Sequence, residues 1–183
     1  CPSSATVGAE HSPQGLTSYR FHQGMPFEWE MNVRGPREVV LGSVIPHEVM
    51  HTILATHFGR ALPRWAEEGL CTLVEDPQER LLHQQTVARI LSGQRDLPLH
   101  RLFNAQHYPR DPVPFYLQSY SLAEYLVAYG GRQRFLLFLG QLSAADDQTS
   151  VIRRYYGYHD LTQLRSAWIT WQQKQTALLF TKN

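Results

Sequence analysis

The sequence predicts an α+β fold in a single domain spanning residues 1–183, a small N-terminal β-sheet followed by a mostly helical body. Three observations carry this. A chain of 183 residues has room for one core of ordinary size. Between residues 18 and 45 aromatic and β-branched residues cluster in short runs broken by Gly24, Pro26, Gly35 and Pro36, the pattern of a small sheet. After Pro46 the apolar residues Val49, Ile53 and Leu54 recur at helical spacing, and helical patterns dominate to the C-terminus.

Each element follows from its own signals. Residues 1–17 carry Pro2, Gly8, Pro13 and Gly15 among Ser and Thr without periodicity, which reads as an irregular leader. Strands are expected over residues 19–21, 27–33 and 38–41. The first helix of the body, from Pro46 to Gly59, has proline at its start and glycine at its end. A second follows Pro63 and runs from about Arg64 to Pro77. A third covers about 79–91 and stops at Gly93. Residues 94–114 hold four prolines and form a long irregular stretch of the kind that lines sites. Helices over 115–129 and 132–142 are split by Gly130 and Gly131, and a last helix covers roughly 161–179.

Composition narrows the function classes. Hydrophobic residues make up 43% and charged residues 18%, so the chain is expected to fold and not to be disordered. With 17 Lys and Arg against 16 Asp and Glu and no basic stripe, neither nucleic acid nor an anionic membrane surface is an expected partner. The longest unbroken apolar run, residues 135–139, falls short of the roughly 20 residues of a bilayer span, so no membrane span is expected. Cys1 and Cys71 allow one bridge or two free thiols and leave the redox compartment open. The start at Cys1 and Pro2 reads as a processed product whose targeting segment has been removed, which favours an exported, periplasmic or extracellular setting.

The chemistry is concentrated in His47, Glu48, Val49, Met50 and His51, an H-E-x-x-H sequence near the start of the first body helix. Residues four apart on a helix are offset by about 40° and about 6 Å, so both imidazoles leave one face and can meet one metal ion. Glu48 is rotated about 100° from His47 and can hold a water beside that ion without ligating it. With 9 His among 183 residues, about 0.02 such matches are expected by chance.

A catalytic zinc takes three protein ligands and keeps a fourth position open. His57 has the spacing of the third histidine in metzincins, but Leu54 stands where that motif needs glycine, and no methionine follows Met50 to form a Met-turn. The simpler reading of His57 is a helix-end histidine favoured by the dipole. The other candidate lies in Pro63, Arg64, Trp65, Ala66, Glu67, Glu68, Gly69, where a second helix after a short turn can aim a carboxylate at the metal. Glu68 is chosen, with Glu67, about 100° away, expected to be a solvated surface carboxylate.

H-E-x-x-H followed by W-x-x-E-G over Trp65 to Gly69 resembles the gluzincin peptidases, in particular the peptidase MA-like catalytic domain of the aminopeptidase N and leukotriene A4 hydrolase family. The resemblance covers about residues 44–142. It implies a zincin-like fold, one Zn2+ per chain held by His47, His51 and Glu68, and Glu48 as general base. It also matches Tyr116 to the family's catalytic tyrosine, with Ser119 replacing a glycine of that segment and Tyr120 one turn later as the alternative. Glu75, seven residues after Glu68, matches a carboxylate that orients a ligating histidine, or else is a helix-end surface charge. The family's G-x-M-E-N amine anchor has no counterpart. Glu28 and Glu30 lie on the nearest strand, where alternation puts both on one face. The expected function is therefore a zinc-dependent peptidase, of endopeptidase type, acting on a peptide or protein substrate. The alternative is an inactive zincin-like domain that binds a peptide or protein partner. Nothing in the sequence fixes the oligomeric state.

Overall fold

The computed structural model describes residues 7–8, 14–93, 95–145 and 147–181. It is an α+β fold with a small antiparallel sheet and a mostly helical body. The strands β1 (Val7–Gly8), β2 (Gly15–His22) and β3 (Met25–Val33) lie in the order β1-β2-β3. β2 and β3 form a hairpin in which His22 pairs with Met25. Its two turn residues, Gln23 and Gly24, both have positive φ, as a tight turn that matches strand twist requires. A bulge opposite Ser18 to Arg20 puts Glu28 at φ 53°, so the alternation expected to place Glu28 and Glu30 together is interrupted between them. Most of the expected leader, residues 1–6 and 9–13, lies outside the described residues, as does Cys1. Residues 15–17 are already strand.

The third expected strand is helical instead. α1 (Arg37–Val39) continues through a π-helical turn (Val40–Val44) into α2 (Ile45–Phe58). The β-branched residues Val39, Val40 and Val44 suggest a strand locally. However, they adjoin α2, and one continuous helical run satisfies their backbone hydrogen bonds while the outer edge of β3 stays unpaired among the described residues. Pro36 instead starts a helix, its carbonyl accepting from Val40 N. The continuous run Arg37–Phe58 is long and apolar enough, by length and composition, to cross a membrane. A count of unbroken apolar residues missed this because His47, Glu48 and His51 interrupt the run, and all three are buried against neighbouring elements.

The rest of the body comprises α3 (Arg64–Thr72), α4 (Pro77–Leu91), α5 (Leu99–Phe103), α6 (Val113–Leu142), α7 (Gln148–Tyr156) and α8 (Leu161–Thr181). α5 interrupts the proline-rich stretch, and α7 is an element the periodicity did not reveal. The two helices expected on either side of Gly130 and Gly131 form one kinked helix, broken at Gly131 (φ 80°, ψ 160°). The core runs between α3, α5, α6, α7 and α8, around Trp65, Phe115, Phe135, Phe138 and Trp168, each under 2% exposed. Two contacts bring the site together. Gly69 of α3 packs on α6 so closely that a Cβ there would lie 2.4 Å from the Ser119 carbonyl oxygen. Gly15, Thr17 and Tyr19 turn the buried face of β2 toward α2, where Thr17 Oγ1 donates to the Glu48 carbonyl oxygen at 3.4 Å.

Candidate metal centre

The H-E-x-x-H residues fall in the first two turns of α2, with Pro46 at its start and Gly59 closing it at φ 62°. Helical spacing turns both imidazoles inward, with ring centroids 5.1 Å apart, and both are nearly fully buried. The segment after α2 folds back beside it, so the two run in opposite directions and their side chains pair in reverse order. His47 Nδ1 donates to Glu75 Oε1 at 2.6 Å, and His51 Nδ1 donates to Glu67 Oε1 at 2.9 Å. Each ring is thereby fixed with its Nε2 free to act as a ligand. Those Nε2 atoms converge on one carboxylate oxygen, Glu68 Oε2, at 3.4 and 3.9 Å.

His47, His51 and Cys71 form a group that could hold a metal ion, with one donor atom of each within 4.8 Å of the others. Two donor sets therefore share the histidine pair. Glu68 is the second candidate for the third ligand, its Oε2 facing both Nε2 atoms. Cys71, a buried free thiol, is pushed well above its usual range by burial and by the carboxylates of Glu68, Glu67, Glu48 and Glu75.

The electrostatics fit a cation. Burial opposes a charge on His47, but the hydrogen bonds to Glu68 and Glu75 outweigh it and raise the ring to about 10. His51 is also raised, burial again being outweighed, here by the hydrogen bond to Glu67 and the charges of Glu68 and Glu67. Burial works against the Glu68 carboxylate too. Contacts with His47 and His51 more than offset it, and its pKa falls below the ordinary range. A buried carboxylate cluster that raises its histidines this far favours positive charge, whether protons or a dication. Glu48 is 1% exposed, and its Oε2 has no hydrogen-bond partner, an unmet acceptor that a water beside the metal position would satisfy.

The other expected site residues divide clearly. Tyr116 lines a cavity of about 320 Å³ together with His47 and Glu75. Burial, then the charge of Glu68, push its hydroxyl upward, so it keeps its proton and can donate. Tyr120 points elsewhere, its hydroxyl donating to Glu124 Oε1 at 3.0 Å. His57 is exposed in the last turn of α2. Glu28 pairs with Arg20 at 3.0 Å, and Glu30 accepts from Asn32 at 2.9 Å, and both are exposed. Glu75, at the end of the turn after α3, is the partner of His47.

Glu67 corrects the expectation. It is buried, and its Oε1 accepts from both His51 and Tyr19, the latter at 2.8 Å. The signal was available, because Glu67, Cys71 and Glu75 recur at intervals of four, one helix face. Tyr108 was also missed. Its hydroxyl donates a short hydrogen bond to Glu68 Oε1, and its ring stacks on Tyr116 at 5.3 Å under the Arg64 guanidinium. Only its place in the proline-rich stretch pointed to it. Comparison with protein-family models, curated proteins and solved structures finds no match to this chain.

Proposed function

We propose that this protein is a zinc-dependent peptidase of the gluzincin type, with a zincin-like fold and endopeptidase action, in which His47, His51 and Glu68 hold one zinc. The observation that carries this reading is the convergence of two carboxylate-oriented imidazoles on Glu68 Oε2 beside a buried Glu48 with an unmet oxygen. A structural metal site has no use for that glutamate. When bound, the zinc supplies Lewis-acid polarisation of the scissile carbonyl and acidifies the attacking water.

The remaining work belongs to the protein. Glu48 accepts the proton of the attacking water and passes it to the leaving amine. Tyr116 donates a hydrogen bond from its hydroxyl to the carbonyl oxygen as that oxygen gains charge. Tyr108, Glu67 and Glu75 hold Glu68, His51 and His47 in place. The cavity beside His47 takes a substrate side chain. Endopeptidase action rests on Glu28 and Glu30 being engaged with Arg20 and Asn32, so that neither serves as a fixed partner for a substrate ammonium.

The test is hydrolysis of a mixed peptide library by the zinc-loaded protein and its Glu48→Gln variant, repeated with N-acetylated peptides. Glu48→Gln should keep its zinc and lose most turnover, and acetylation should leave cleavage unchanged. Wild-type turnover by Glu48→Gln would remove the general base, and cleavage strictly dependent on a free amine would make the enzyme an aminopeptidase.

A further inference from the structure

The kink in α6 forms a second cleft. A cleft of about 900 Å³ opens where the helix breaks at Gly131, lined by Arg132, Arg134 and Arg154 and by no acidic residue. None of these three arginines has a carboxylate within salt-bridge distance among the described residues, where ion pairs are made instead by Arg20, Arg95 and Arg165. All three are exposed. The helix restarts after the kink, so the positive end of residues 132–142 lies at the cleft, whose wall Gly131 and Gln133 also form.

A separate observation points to a ligand. Tyr156 is 4% exposed and lines the cleft, yet its hydroxyl has no hydrogen-bond partner. A buried donor left unmet is costly. Gly130 fixes the arrangement, since a Cβ there would stand 2.8 Å from Arg134 Cδ and 2.9 Å from Tyr156 Cε1. The Arg134 guanidinium acts on the Tyr156 hydroxyl, opposing the rise that burial imposes on it. The cleft is thus lined by three arginines without a carboxylate partner, Arg154 lying over the Tyr155 ring, and by a helix N-terminus, with the unmet Tyr156 hydroxyl in its wall.

We propose that this cleft binds a phosphoryl group, either of a soluble phosphate compound or of a lipid headgroup. Three guanidiniums with fixed forks suit a doubly charged, multi-oxygen anion better than a single carboxylate. The volume admits more than one small ion. Gly131 lies fifteen residues along α6 from Tyr116, about 22 Å at helical rise, so the site stands apart from the metal centre and does not rest on the peptidase reading.

The test is calorimetric titration of the full chain with inorganic pyrophosphate at physiological salt, with sedimentation on phosphatidylcholine vesicles with and without phosphatidic acid as a second arm. Saturable binding of one pyrophosphate per chain is expected, weakened about tenfold in each of Arg134→Gln and Arg154→Gln. Arg95→Gln, at an arginine already paired with Asp111, should bind as the wild type. Tyr156→Phe should keep its circular dichroism and bind several-fold more weakly. Sedimentation that depends on phosphatidic acid and is lost in Arg134→Gln would assign the phosphoryl group to a lipid, and pyrophosphate binding alone would assign it to a soluble compound. Absence of saturable binding to either probe, or equal affinity in Arg134→Gln and wild type, would overturn the proposal.

Discussion

Gly15 and Glu48 stand so close that a Cβ on Gly15 would lie 2.3 Å from Glu48 Oε1. The first residue of β2 therefore lies directly against the carboxylate proposed as general base. Only a residue without a side chain allows that approach, and the strand in turn limits where the carboxylate can go. The sheet thus acts on the site directly, by positioning a side chain of α2.

Gly15→Ala should keep its zinc and lose about 10²-fold in kcat, because an ångström-scale displacement of the base is costly. Overpacking should also cost about 1–3 kcal/mol of stability. Peptide kinetics with metal analysis of the same preparation checks this, and wild-type kcat with alanine at 15 would show that Glu48 needs no such support.

The choice between two donor sets is decided by metal content. Glu68→Gln should lose most of its zinc, while Cys71→Ala should retain about one per chain. The reverse result would make Cys71 the third ligand, with a thiolate in place of the carboxylate.

Tyr116→Phe should lower kcat about 10²- to 10³-fold with little change in KM, the loss expected for one donor to the developing oxyanion. Tyr120→Phe should leave kcat near wild type and reduce stability by about 1 kcal/mol, since its hydroxyl serves Glu124. A large kcat loss from Tyr120→Phe alone would move the role by one helical turn.

In the metal-free protein His47 is raised from 6.5 to about 10. Its contribution to stability is then fully present below about pH 6.5 and lost as pH rises toward 10. Glu68 has the opposite sign: its lowered pKa contributes stability above about 4.5, lost as pH falls through its folded value. At pH 7 zinc must displace protons from the histidines. Its affinity should therefore rise with pH, and binding should release protons, detectable by calorimetry in buffers of different ionisation enthalpy.

Much of the site was legible because its elements are local and periodic. H-E-x-x-H on a helix sets two imidazoles on one face whatever surrounds them, and Pro46, Gly59 and Pro63 mark where α2 begins, where it ends and where α3 begins. Glu68 and Glu75 follow from short spacings in the adjoining segment. The expected strand at 38–41 failed because those residues run on into the helix that carries His47, and their backbone bonds are met within it. A local preference for β structure cannot reveal that.

The sequence by itself determined the α+β layout, the helix carrying His47, Glu48 and His51, and the carboxylates able to meet them, because periodicity and end signals act within a few residues. Only the tertiary structure decided that Glu67 is buried as the His51 partner, that Tyr108 holds Glu68, that Gly15 confines Glu48, and that Arg154 of α7 joins Arg132 and Arg134 at the kink of α6. Each of these depends on how separate elements pack, and side chains from distant parts of the chain meet only once a common core has fixed the helices and the sheet.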